Sequence, residues 1–213
     1  MKQVKSVVIP DDWVISGGRG VTVAVIDSHV DVYDIKNIEK YYTSSNIGTY
    51  GTSHCDAVCK IISSVAPFCR IIVSQALFGK TGNHESFLRA IKNIYNEDVD
   101  VVNFSLSTSE DKGDIRSLVY DLSKRALIVA AIANNGTISY PAEYDFVTSV
   151  SSYKRDNGKS DICCEDSFIF GNESSKKTGN SMSSAFVSGI FALAKSYNKD
   201  ITKEDIITQL LGR

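Results

Sequence analysis

No apolar run in this 213-residue chain approaches the roughly 18 residues that a helix needs to cross a bilayer, so a membrane-embedded protein is not expected. Dense basic clusters are missing too. Lys and Arg number 23 against 25 Asp and Glu, for a net charge of −2, and no Lys/Arg stripe could track a phosphate backbone, so nucleic acid is not an expected partner. The five cysteines are an odd number and Cys163 adjoins Cys164, which argues against a secreted disulfide framework and for a reducing, cytoplasmic setting. The start, MKQVKSVVIPDDWVISGG, is basic, but its apolar stretch is too short for a signal peptide before Asp11 and Asp12 intervene. No internal repeat, linker or low-complexity segment divides the chain, so residues 1–213 are expected to form one domain, with no signal peptide or prosegment recognised.

What is present is 43% hydrophobic residues, enough for a sizeable core. Short β-branched runs stand at 21–27 (VTVAVID), 70–76 (RIIVSQA), 99–107 (VDVVNFSLS), 126–133 (ALIVAAIA) and 146–152 (FVTSVSS), and they read as buried strands. Helical patterns at 53–64, 85–96 and 114–124 lie between them. Such alternation implies right-handed crossovers on a parallel sheet and an α/β class. Residues 153–180 read as polar loops with one short strand near 168–170, followed by two closing helices at about 181–197 and 203–211. Ser53 with Asp56, and Thr202 with Asp205, have the spacing of capping boxes. The glycine cluster SGGRG at 16–20 precedes its strand, whereas a phosphate-cradling loop must follow one, so nucleotide binding is discounted.

Asp27 ends the first run, at the carboxyl edge where parallel sheets build sites. Alone it would pass for a turn former. His54 opens the next helix, and Ser181 opens a later one lined with Ser183, Ser184, Ala185, Ser188 and Gly189, residues small enough to let backbones approach closely. A serine hydroxyl attacks only when a base takes its proton, and an acid must hold that base in the correct tautomer. Asp27, His54 and Ser181 supply acid, base and nucleophile. Asn134, after the 126–133 strand, offers a side-chain amide for an oxyanion, and the Ser181 backbone N–H offers a second donor.

With these residues in this order the chain resembles the subtilisin-like serine peptidases, from Val21 to the last helix. VAVIDS (23–28) is similar to that family's Asp motif and SHCDAVCKIISSVAP (53–67) to its His motif. VVNFSLS (101–107) resembles the substrate-binding strand, AAIANNG (130–136) the oxyanion region, and TGNSMSSAFVSG (178–189) the nucleophile motif. The resemblance implies a three-layer α/β sandwich with a mostly parallel central sheet. It also implies a serine endopeptidase with Asp27, His54, Ser181 and Asn134 catalytic, and with Asn103, Phe104, Ser105, Leu106, Ser107 and Ala133 binding a peptide or protein substrate. The family often carries calcium sites in surface loops, but none is matched residue by residue in this sequence, so no cofactor or metal is expected. Because the family commonly carries a prosegment, an inhibitor or prosegment supplied in trans is a further partner to consider, and trimming a leader from a precursor peptide in the cytoplasm is one role that would suit the chain.

Departures from the family pattern accompany the matches. Cys55 and Asp56 stand where Gly-Thr is usual, His29 replaces a Gly, Asn180 a Thr, and Ala185 and Phe186 a Pro-His pair. Cys55 would crowd the base or narrow a subsite, whereas Asp56 reads as a helix cap. Ser107 and Ala133, in place of glycines, imply a shallower specificity pocket favouring small or unusual side chains. The alternative to an enzyme is a silent fold of the same family that holds a peptide or partner. A metal or redox site at His54, Cys55 and Cys59 is a weaker rival, since paired C-x-x-C clusters are missing. Cys163 and Cys164 read as exposed thiols.

Overall fold

The computed structural model describes residues 7–31, 35–43, 53–79, 81–155, 158–165, 178–210 and 212. Its strands are β1 (Thr22–Asp27), β2 (Ile38–Tyr42), β3 (Arg70–Gln75), β4 (Val101–Phe104), β5 (Leu127–Ala131), β6 (Thr148–Ser152) and β7 (Ile162–Cys164). They form one seven-stranded sheet in the order β2-β3-β1-β4-β5-β6-β7, and every pairing is parallel. The helices are α1 (Asp11–Ser16), α2 (His54–Val65), α3 (His84–Tyr95), α4 (Gly113–Ser123), α5 (Asn180–Tyr197) and α6 (Lys203–Leu210).

The period-2 geometry of a strand sends alternate side chains to opposite faces, and β1 uses both faces for core. Val23 and Val25 pack with residues of α1, α2, α5 and α6, whereas Ala24 and Ile26 pack with those of α3 and α4. A sheet covered on both sides needs strands apolar throughout rather than alternating, which is why the β1, β4 and β5 runs stand out in the sequence. The same parity continues through β4, where Val101 faces the α2/α5 layer and Val102 and Phe104 face α3 and α4.

The chain leaves β3 on one side of β1 and re-enters the sheet as β4 on the other. That reversal opens a crevice at the carboxyl ends of β1, β3 and β4, the place where open parallel sheets receive ligands. Two elements escape the sequence patterns. The strand β2 is an edge strand of mixed polarity (IEKYY) with a register irregularity, and α1 is too short to show a helical period. The expected strand near 168–170 lies outside the described residues. A strand does form at 162–164, where Cys163 and Cys164 are buried beside β6, so the expectation of exposed thiols is corrected. Their neighbours in the sheet supply the apolar surroundings that the polar local sequence concealed. The expected 99–107 strand is paired only through Phe104, and residues beyond it diverge toward an antiparallel bridge between Thr108 and Tyr140.

Nearly every residue of α5 from Asn180 to Ala194 is buried, against α1, α2 and the strands β1, β4, β5 and β6. Close packing with α2 depends on Gly189: a Cβ there would lie 2.6 Å from Val65 Cβ and 2.9 Å from its Cγ1. No branched side chain fits without parting the helices. Gly189→Val is therefore expected to destabilise the protein by roughly 2–3 kcal/mol through overpacking, read as a lower denaturation midpoint at an unchanged denaturant slope.

Candidate active site

Asp27 is the last residue of β1 and follows the Val23/Val25 parity, so its carboxylate turns toward α2. It is fully buried, while the side chain of His54 is 44% exposed. A buried carboxylate must be hydrogen-bonded to remain tolerable. Here His54 Nδ1 lies 3.0 and 2.9 Å from Oδ1 and Oδ2, and the Ser28 N–H donates to Oδ1 at 2.5 Å. The Asp27 carbonyl accepts the N–H groups of Ala76 and Leu77, fixing the strand end against the exit from β3. With Nδ1 held on the carboxylate, Nε2 is the ring nitrogen not used in this pair.

The position of His54 follows from the start of α2. Ser53 caps the helix and Asp56 completes a capping box, its Oδ2 accepting the Ser53 N–H at 2.6 Å while Ser53 Oγ accepts the Asp56 N–H at 3.1 Å. Asp56 Oδ1 also accepts the Asp31 N–H at 2.7 Å, and the Ser53 hydroxyl donates to the His29 carbonyl. One carboxylate thus ties the loop after β1 to the first turn of α2, so Asp27 and His54 arrive in register. His29 extends the same junction, its Nδ1 lying 3.0 Å from Tyr41 Oη on β2.

Cys55 does not crowd the crevice, contrary to the expectation from sequence. It is fully buried with its Sγ 3.9 Å from that of Cys59, pointing into the core from the opposite side of the helix start. Burial pushes its thiol well above the ordinary value, with Cys59 adding to the shift, and burial lifts the Cys69 thiol to about 12. Thiols held in the neutral form this firmly are poor nucleophiles and poor metal ligands. Among the described residues no group of three or more His, Cys, Asp or Glu is placed to hold a metal.

Ser181 lies in the first turn of α5, half-buried, where helix N–H groups lack partners within the helix. Its hydroxyl donates to the Ser105 carbonyl at 3.0 Å, and no hydrogen bond joins it to His54. Ser181 shares a cavity of about 410 Å³ with Ser105, Leu106, Ser107, Ala133 and Asn134, and among the described residues no charged one lines it. A second cavity of about 460 Å³ adjoins it, and Leu106 and Ser107 line both. Asn103 and Phe104 do not reach this crevice. Phe104 faces the α3/α4 layer, 6.0 Å from Phe87 between ring centroids. Asn103 is fully buried and donates to Ser184 Oγ at 2.8 Å and Ser188 Oγ at 2.9 Å, while its Oδ1 accepts from Ser105 Oγ at 2.8 Å.

Asn134 is exposed at the crevice rim, and its Oδ1 accepts the Asn180 N–H at 3.0 Å. With its oxygen tied to the helix, its remaining polar atom is the Nδ2 donor. Gly179 allows that contact: its φ of +132° is one that L side chains rarely adopt, and a Cβ there would stand 3.4 Å from Asn134 Oδ1.

Residues 18–163 and 156–212 match the model of the subtilase family, peptidase S8. The chain belongs to the subtilase family. Over 258 aligned residues it is 26% identical to the major intracellular serine protease of Bacillus subtilis (strain 168), covering 99% of this chain and 81% of that protein. Its fold is shared with a lanthipeptide protease (TM-score 0.71, 17% identity, 91% of this chain and 80% of that one). The prenylagaramide maturation protease PagA is a second structural neighbour (TM-score 0.67, 18% identity, 89% and 80%). As a subtilase the protein is a serine protease, and its substrates are peptides or proteins.

Of the residues expected to be catalytic, the fold pairs Asp27 with His54 and sets Ser181 and Asn134 on one cavity. The buried contacts of Asn103 and Asn180 were not foreseen, although the parity of β4 places residues 101 and 103 on the α5 face. Asp56, at the junction of acid and base, is the residue whose loss tests this assembly. Asp56→Ala removes the acceptor of the Ser53 and Asp31 N–H groups and breaks the capping box, and is expected to cost roughly 1–2 kcal/mol of stability, measured by urea unfolding.

Proposed function

We propose that Asp27, His54 and Ser181 form the catalytic triad and that Asn134 and the Ser181 N–H form the oxyanion hole. The observation that carries this reading is the sealed Asp27 carboxylate held on Nδ1 of a half-exposed His54, in a subtilase whose Ser181 and Asn134 line one cavity. Ser181 Oγ attacks the scissile carbonyl carbon as His54 Nε2 takes its proton. The C–N bond then breaks and the imidazolium returns that proton to the leaving amine, and water repeats the sequence on the acyl-enzyme. Asp27 keeps the imidazole in the Nδ1–H tautomer and stabilises its charged form. The oxyanion is met by donors already oriented, because the Asn134 oxygen is occupied by the Asn180 N–H.

An extended peptide adding beside 105–107 gains main-chain hydrogen bonds, and alternate side chains enter the two cavities that share Leu106 and Ser107. The peptide's N–H groups compete for the Ser105 carbonyl, which frees the Ser181 hydroxyl for His54. Substrate docking and nucleophile release are then one event. A silent binding module is disfavoured, because such a module has no use for a buried carboxylate committed to an imidazole at the rim of the same cleft.

The biological role we propose is maturation of a precursor peptide in the cytoplasm. It is supported by the intracellular relative and by the maturation and lanthipeptide proteases that share the fold. An uncharged primary cavity walled by Ser107 and Ala133 gives no partner to a basic or acidic side chain and limits large ones.

Fluorophosphonate treatment is expected to leave one adduct, on Ser181, that is missing in Ser181→Ala; a folded wild type that takes no label removes the triad assignment. Asn134→Ala is expected to lower turnover about 100- to 1000-fold while the protein stays folded, with stability lowered only by the roughly 1 kcal/mol of the acceptor that the Asn180 N–H loses; that turnover magnitude is the one the oxyanion residue of subtilisin itself exemplifies. In a peptide library, cleavage is expected after small uncharged residues, and a profile dominated by aromatic or charged residues would contradict the pocket assignment.

A further inference from the structure

Asn180 stands one residue before the nucleophile, where the subtilase pattern carries a threonine, and the chemistry above assigns it no part. It is fully buried. A buried carboxamide is costly unless its donors and acceptor are met, and this one is met by three pieces of main chain. Its Nδ2 donates to the Ile132 carbonyl at 3.0 Å and to the Ala133 carbonyl at 3.5 Å, and its Oδ1 accepts the Ser152 N–H at 2.9 Å. Its own backbone N–H is the group that holds Asn134 Oδ1 at 3.0 Å.

β5 and β6 are already paired, and the Ile132 N–H donates to the Val150 carbonyl; the Asn180 contacts add the start of α5 to that pair of strand ends. Ile132 and Ala133 follow β5 and lead directly to Asn134, while Ser152 ends β6. The flanking cap gives no help, because Gly179 carries no side chain and makes no side-chain capping bond to α5. Ser181 and Ser183 tie the first turn of α5 to the Ser105 and Glu165 carbonyls, and the Asn180 side chain ties it to the ends of β5 and β6, on the side where Asn134 lies. The tie on that side fixes where the Asn180 N–H points, and the N–H in turn fixes the face of the Asn134 carboxamide.

We infer that Asn180 is a positioning residue of the oxyanion hole: its side chain locks the start of α5 to the ends of β5 and β6 so that its backbone N–H orients Asn134. A threonine hydroxyl is too short to span from one helix turn to both strand ends, so this chain has replaced a short side chain with a clamp. The inference rests on the proposed role of Asn134. It makes a claim that simple packing does not: the benefit of the Asn180 side chain should vanish when Asn134 has no carboxamide to orient.

The test is a double-mutant cycle on the full chain, with Asn180→Asp and Asn134→Ala alone and together. The readouts are the rate of Ser181 phosphonylation by a fluorophosphonate and the kcat and KM for fluorescein-labelled casein. Asn180→Asp keeps the size and the acceptor but removes the donors to Ile132 and Ala133. It is expected to slow phosphonylation and kcat 10- to 100-fold with KM changed less than threefold. In the Asn134→Ala background the same substitution is expected to cost less than threefold.

A full additional loss in that background, or wild-type rates for Asn180→Asp, overturns the inference while leaving the triad assignment intact. A wild type that takes no label overturns both. Should the aspartate variant not fold, Asn180→Thr, with the family's residue, is read in the same cycle and is expected to show the same coupling.

Discussion

The structure turns on the burial of α5. A helix surrounded by α1, α2 and four strands can be accommodated only if its side chains are small where neighbours come close and apolar elsewhere. Gly189 meets Val65 at a distance that leaves no space for a methyl group, and Ser184 and Ser188 let Asn103 of β4 reach the helix. Because the helix is held on all sides, its first turn cannot drift, and the first turn carries Ser181. A surface helix would bring the same serine to the crevice with far less constraint.

Burying that helix also creates a polar problem that the chain resolves in the service of the site. The Ser105 hydroxyl, the Asn103 carboxamide and the Ser184 and Ser188 hydroxyls satisfy one another beneath the crevice, and Asn180 satisfies the open ends of β5 and β6. Fully paired polar networks of this kind rigidify a core, whereas half-paired ones would destabilise it. Two such networks lie on either side of Ser181, one fixing Ser105 and the other fixing Asn134. The proposed nucleophile, the carbonyl on which its hydroxyl rests and the proposed oxyanion donor are thus set by hydrogen bonds to buried groups rather than by loop packing.

The sequence exposes the parts of this arrangement that depend on local pattern. Continuous β-branched runs mark the central strands because both of their faces are covered, and the spacing of Ser53 with Asp56 and of Thr202 with Asp205 marks two helix starts whose capping bonds are present. Edge strand β2 is hidden by its mixed polarity, and β7 by a polar neighbourhood in which two cysteines look exposed until β6 is placed beside them. The assignment of Asn103 and Phe104 to the crevice fails for a geometric reason, since residues on a paired strand point into one helical layer or the other and only those beyond the last pairing can face a cleft. Asn180 is visible as a departure from the family pattern, but a single residue identity says nothing of the three main-chain partners that tertiary folding brings to it.

In the proposed triad, a sealed acid already paired with its base is compatible with a Ser181 hydroxyl that rests on Ser105. The Asp27 carboxylate is already desolvated and committed to His54, so the expensive step of removing a charge from water is complete before any substrate arrives. Only a neutral hydroxyl must change partners, from one acceptor to another of similar strength, and such an exchange costs little. A peptide main chain that claims the Ser105 carbonyl shifts this balance toward His54 through the same hydrogen bond that aligns its scissile bond. In the proposed mechanism the parts that hold charge or orient donors stay fixed, and what changes partner is the Ser181 hydroxyl, released when the substrate claims the Ser105 carbonyl.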